Sequence, residues 1–319
     1  MHRPLLGAGA PLDAPVPPEF ANHQRDPATG VTADTGPPRV WTVFLAFGLA
    51  AAAVLLLTGL LAAAVVAGLI ARSPDSAGDT EALAIATSEF LTSSAGLVLV
   101  AAISSGTLIA VAFLGGLLSP QPLLERLRLA RGPFPAPYVL AVVAGLCLSQ
   151  ALDSIIALQG WQEGGSLELI ASALARATPL GLAFAILTIG LMAGLGEELF
   201  FRGYLQTRLS ARWGGLAGVL IAAALFGLLH MDPVHSSFAF LFGIYLGWVT
   251  ERSMSILPAM AVHIANNCAS VVQTRLFTPP LGAGTHMGLV AISLVLGIAS
   301  IMALRHAFIR RGGVTAPGR

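Results

Sequence analysis

The chain contains no lysine: all 17 of its cationic residues are arginine. That absence excludes lysine-based covalent catalysis and the phosphate-binding loop that ends in Lys. Charge of either sign is scarce, at 10% of 319 residues, against roughly 25% in an ordinary soluble domain. So little charge cannot cover the surface of a soluble enzyme. The net charge of +1 gives no basic footprint for phosphates, so a nucleic-acid partner is not expected. Cysteine occurs twice, as Cys147 and Cys268, each inside an apolar run. This excludes a disulfide framework and a CxxC metal site.

What the chain has is apolar length. Hydrophobic residues make up 55%, and the mean hydropathy is +0.80. About 20 residues cross the hydrocarbon core of a bilayer. The pattern predicts an all-α, polytopic transmembrane bundle of about eight spans, at 40–71, 94–117, 137–157, 178–206, 213–231, 236–250, 256–275 and 284–304. Residues 82–93 are expected to form an interfacial helix. Residues 1–38 are rich in Pro, Gly and Ala and read as a disordered cytoplasmic tail. Residues 39–175 read as N-terminal membrane helices and 176–275 as a catalytic helical core. Residues 276–319 read as a last span followed by a basic cytoplasmic tail.

Arginine placement sets the orientation. With the N-terminus inside, fourteen arginines lie on the cytoplasmic side, and only Arg72, Arg176 and Arg275 lie outside. The expectation is therefore N-in and C-in. No internal repeat is visible, which counts against an inverted-repeat transporter.

Ionisable groups inside a membrane are costly and mark function by default. They concentrate in the run Gly194-Leu195-Gly196-Glu197-Glu198-Leu199-Phe200-Phe201-Arg202-Gly203-Tyr204. Adjacent helical residues point about 100° apart, so the two glutamates are expected to hold different roles. Glu198 stands four residues before Arg202, the favoured order for an ion pair. Glu197 faces Phe200 and Phe201 and has no cation of its own, which suits general-base work. Phe226 and His230 share a face of the fifth span, as His263 and Asn267 do on the seventh. This set can activate water and stabilise an oxyanion. Glu197, His230 and His263 are also a plausible zinc ligand set. Asp232 and His235 read as parts of an outer loop, and Asp153 as a buried polar contact. Gly194, Gly196, Gly243 and Gly247 read as close helix contacts.

Three motifs in this order, Glu197-Glu198-xxx-Arg202, Phe226-xxx-His230 and His263-xxx-Asn267, resemble the CPBP family. That family comprises type II CAAX prenyl endopeptidases and the bacteriocin-processing or immunity proteins also called Abi. The flanks Phe201-Arg202-Gly203-Tyr204-Leu205 and Ser255-Ile256-Leu257-Pro258 fit as well. The resemblance covers about residues 178–275. It implies an intramembrane endopeptidase acting on a membrane-associated, in the CAAX branch lipidated, protein or peptide. By position it implies that Glu197 and His230 activate the attacking water. It gives His263 and Asn267 the oxyanion hole, with Glu198, Arg202 and Phe226 in support. No cofactor is expected from the better-understood relatives, and zinc is the alternative, as in the older name metalloprotease.

Other intramembrane protease signatures are missing. There is no HExxH, no GxSG and no pair of membrane aspartates. The competing functions are a non-catalytic immunity or scaffold protein of the same fold, and a transporter using Glu197 and His230 as a relay. All-arginine usage suggests a GC-rich genome, so the expected location is a bacterial inner membrane.

Overall fold

The computed structural model describes residues 23–25, 32–34, 39–119, 121–130, 136–277 and 281–312. Most of the expected N-terminal tail and residues 313–319 lie outside the described residues. Within 1–38 the described part is a short antiparallel pair, His23–Arg25 with Thr32–Asp34. All the rest of the regular structure is helical. The helices are α1 (Trp41–Arg72), α2 (Thr80–Leu91), α3 (Ser94–Leu117), α4 (Leu123–Arg126) and α5 (Ala136–Gln159). They continue as α6 (Ser166–Ala175), α7 (Pro179–Trp213), α8 (Gly215–Leu228), α9 (Pro233–Ser253), α10 (Leu257–Leu276) and α11 (Ala283–Gly312).

Local chemistry sets the helix starts. Asp79, Ser93 and Thr178 each accept the N–H of the third residue on, which satisfies a free donor of the first turn. Asp232 does the same for α9, with Pro233 as its first residue. This start lies three residues before the expected 236. At the other end of α8, Gly214 has φ +86°, a backbone region open to glycine, and it allows the tight turn from α7.

Five helices are long and apolar enough to cross a membrane: α1, α3, α7, the Tyr138–Gln159 part of α5 and the Ala283–Ile309 part of α11. Their length and apolarity make the chain an integral membrane protein. The other three expected spans fall short for physical reasons. Helix α8 has 14 residues, about 21 Å by helical rise, against a core of about 30 Å. Helices α9 and α10 are long enough but carry polar groups that lower their apolarity: His235, Glu251 and Arg252 on α9, and His263, Asn266 and Asn267 on α10. Exposed leucines mark the lipid-facing belt: Leu49, Leu55, Leu56 and Leu60 on α1 are each more than half exposed. A soluble monomer does not expose a contiguous patch of this kind.

Helix α7 is the axis of the bundle. Its buried Leu199, Phe200, Phe201, Tyr204, Leu205 and Leu209 form one core with Leu108 and Ala112 of α3 and Phe226 of α8. The small residues on α7 permit close approach. A Cβ added at Gly194 would lie 2.7 Å from Ile264 Cγ1 on α10, and one at Gly196 would lie 2.8 Å from the Ser105 carbonyl on α3. On α9 a Cβ added at Gly243 would lie 3.1 Å from Phe226 Cδ1 and one at Gly247 2.8 Å from Gln206 Oε1, so the four close contacts expected from sequence are present.

The end of the bundle beyond Tyr204 is tied by Glu251. Its Oε1 accepts from Arg128 at 2.8 Å, Gln206 at 2.9 Å and Ser210 at 2.9 Å. The 121–130 segment is held against the α9–α10 turn by Ile256 N–H to the Arg128 carbonyl and by Ser255 Oγ to the Ala130 carbonyl. These bonds fix α7 against α9, and with it the register of the acidic motif.

Candidate active site

Helix α7 runs unbroken past the two glutamates, but its winding changes. Ile186–Met192 and Glu198–Gln206 are π-helical turns, and Ala193–Glu197 between them is α-helical. Such widened turns are rare and concentrate at functional sites. The helix continues to Trp213. Glu197 stands 16 residues from that end, about 24 Å along the axis, and His230 stands equally far from Gly214 at the start of α8.

Four side chains form one buried chain of contacts. Arg202 Nη1 donates to Glu198 Oε1 at 2.7 Å, and both side chains are 0% exposed. The same Oε1 accepts from His263 Nδ1 at 2.8 Å. His263 Nε2 lies 3.4 Å from Glu197 Oε2. Arg202 Nη2 also donates to the Gly243 carbonyl, and its guanidinium carbon lies 4.6 Å over the Phe226 ring. The Arg202 cation thus meets the buried Glu198 carboxylate, and His263 lies between the two carboxylates, so the buried Glu198 charge is paired and hydrogen-bonded.

The two glutamates do hold different places, but they share a partner. A step of 100° around α7 separates them, and the two nitrogens of one imidazole bridge that step. Exposure distinguishes them: Glu198 is sealed, whereas the Glu197 side chain keeps 15% of its surface. Glu197 is the carboxylate that an incoming molecule can reach.

His230 follows the end of α8. Its Nδ1 bonds the Phe226 carbonyl at 2.9 Å. A carbonyl only accepts, so Nδ1 carries the proton and Nε2 of the neutral ring carries the lone pair. The Phe226 ring stands edge-on to both His230, at 5.1 Å, and His263, at 5.7 Å. Among the described residues no hydrogen bond joins His230 to Glu197. On α10, the Asn267 amide donates to the Ile189 carbonyl at 3.1 Å and accepts from Asn266. Ile189 lies in the first π-turn, whose altered ladder releases carbonyls for such partners. One N–H of Asn267 remains for another acceptor.

Glu197, His230 and His263 do not converge as a metal site. Among the described residues no group of three His, Cys, Asp or Glu side chains is placed to hold an ion. His263 has a carboxylate at each nitrogen, and His230 has one nitrogen committed to backbone. The metalloprotease reading is not supported by this arrangement.

Sequence reasoning placed Asp232 and His235 in a loop; Asp232 does lie in the α8–α9 turn, where it caps α9, and the structure corrects the reading for His235. His235 lies in the first turn of α9, with its ring 4.2 Å from that of His230. The missed signal was Asp232-Pro233, a capping residue followed by proline at the first helical position. Asp153 is exposed on α5 rather than buried. The position is set by the face of α5 that packs on α10 and α11, which carries Ala141, Ala144 and Ser154 instead.

Residues 179–269 match the family described as type II CAAX prenyl endopeptidase Rce1-like. The match covers less than a third of the chain, which is thus similar to an Rce1-like domain over α7 to α10. The match agrees with the resemblance carried by the three motifs, and it contains every residue of the contact chain just described. Neither a curated protein nor a solved structure matches the chain. The Rce1-like domain begins with α7 and ends within α10, so the helices before it, α1 to α6, stand outside the matched region.

Proposed function

We propose that the protein is an intramembrane endopeptidase that hydrolyses a peptide bond in a membrane-associated protein or peptide, lipidated or not. The observation that carries this reading is the Arg202–Glu198–His263–Glu197 chain within the Rce1-like domain. Glu198, neutralised by Arg202, fixes the His263 ring. Glu197 takes a proton from water, oriented by the lone pair on His230 Nε2. The water oxygen then bonds to the carbonyl carbon, and the π electrons move onto the carbonyl oxygen. In its imidazolium form His263 donates from both nitrogens, one to Glu198 and one to this oxyanion, and the spare Asn267 N–H supports it. Glu197 returns its proton to the leaving amine as the C–N bond breaks. Every step uses groups of the chain, and none needs a metal.

The same proposal places the protein in a bacterial inner membrane with eight crossings and both termini cytoplasmic. The arginine split supports this, with α8, α9 and α10 completing the five longer helices. The test is cleavage by detergent-purified protein. A prenylated C-terminal peptide and unmodified membrane peptides are compared for wild type, Glu197→Ala and His230→Ala, with and without chelator. Cleavage by wild type alone, unaffected by chelator, supports the reading. Equal cleavage by both variants overturns it.

A further inference from the structure

We infer that His235 is a positioning residue for His230, held in place by Ser166 and Asp232; this rests on the hydrolase reading for its functional consequence. His230 sits just beyond the last turn of α8, in a turn closed by its N–H to the Gly227 carbonyl at 3.0 Å, a bond that holds the backbone and not the ring. Met231 next to it has φ +52°, so the chain turns sharply here and the backbone alone does not fix the imidazole. The ring has one directional bond, from Nδ1 to the Phe226 carbonyl. A single bond leaves rotation about the side-chain torsions, which moves Nε2, the nitrogen that faces a water.

The remaining constraint comes from packing on two sides. Phe226 stands perpendicular to the His230 ring at 5.1 Å, and His235 lies at 4.2 Å with an angle of 57° between the rings. His235 is itself held from a third element. Its Nδ1 lies 3.2 Å from Ser166 Oγ at the start of α6. Asp232 fastens the same corner twice: Oδ1 accepts the His235 N–H at 2.8 Å and Oδ2 accepts the Ser166 N–H at 3.0 Å. One carboxylate thus joins the first turns of α6 and α9. Gly165 allows this approach, since a Cβ there would lie 2.9 Å from Asp232 Oδ2.

The group is not a second nucleophilic triad. Asp232 bonds the backbone of His235 and not its ring, so nothing orients that imidazole as a base for Ser166. Its geometry is that of a brace: α6, outside the Rce1-like domain, presses His235 onto His230 inside it. This gives α6 a role that the matched region does not contain.

The test reads His230 directly, without requiring catalysis. The chain has seven histidines, and labelling their rings with 13C and 15N in the detergent-purified protein gives separate signals, with His230 identified by His230→Gln. In wild type His230 shows the Nδ1–H tautomer. His235→Ala and Ser166→Ala are expected to move its signals toward a mixture of tautomers, while His286, on α11, stays unchanged and reports a folded bundle. His235→Phe, which keeps a ring against His230, is expected to restore the wild-type signal in part. On a peptide that wild type cleaves, His235→Ala is expected to lower kcat about tenfold to a hundredfold with KM unchanged, the effect of a misplaced catalytic group. An unchanged His230 signal in folded His235→Ala and Ser166→Ala overturns the inference. A shifted signal in a protein whose wild type cleaves no peptide preserves the brace and counts against the hydrolase reading instead.

Discussion

Removing Glu198 is the sharpest structural perturbation available, because one of its oxygens serves two partners. Arg202 and His263 both bond Oε1, and neither the arginine nor the glutamate reaches solvent. Glu198→Met leaves a buried guanidinium without its counter-ion, which costs about 3–5 kcal/mol. Arg202→Met leaves the buried carboxylate unneutralised, at a similar cost of about 3–5 kcal/mol. The double replacement removes both charges and keeps most of the volume. Its remaining costs are the Gly243 carbonyl and His263 Nδ1, which lose one partner each, at about 1–3 kcal/mol for each unmade bond. The double variant is therefore expected to be no less stable than either single one. At the midpoints of these ranges the double variant costs about as much as one single variant, so the coupling is about 4 kcal/mol, well above the few tenths expected of independent sites. Reversible unfolding in mixed micelles, followed by circular dichroism, measures all three variants against wild type. Additive losses would refute the claim that these two charges form one buried unit.

Other consequences follow from particular contacts. Gly194→Ala places a methyl 2.7 Å from Ile264 Cγ1 and is expected to cost about 1–3 kcal/mol of stability; Gly106→Ala, with open space around it, is the neutral control in the same unfolding assay. Backbone donors from His235 and Ser166 hold the Asp232 carboxyl below the usual carboxylate range. Its contribution to stability is thus complete above its unfolded value of about 4, and is lost as pH falls through the lower folded value. Asp232→Asn is expected to flatten that acid limb of the unfolding profile. Chelator is expected to leave peptide cleavage unchanged, because Glu197, His230 and His263 are not gathered as ligands; loss of cleavage restored by added zinc would contradict this.

Apolar length and the three polar motifs were legible in the sequence because each obeys a simple spacing. The ion pair of Glu198 with Arg202 follows from a four-residue step along one helix. The second span, 94–117, coincides with α3 because Ser93 caps its start and a long apolar run fills its length. What spacing does not carry is contact across elements. The meeting of both glutamates at His263 depends on how α7 packs on α10 through Gly194. The π-turns are also invisible to a 3.6-residue period, although they decide where Asn267 finds its carbonyl partner. The brace on His230 was missed because its parts come from α6, the α8–α9 turn and α9, separated by more than sixty residues.

The central claim is that Glu197, rather than its neighbour, is the base that activates water. Its most direct test is the kcat of Glu197→Gln on a peptide that the purified wild-type protein cleaves, measured at equal folded fraction. Glutamine keeps the shape and cannot take the proton, so the account predicts a fall of about a hundredfold to ten-thousandfold, with KM little changed. Cleavage at a rate close to wild type would contradict it.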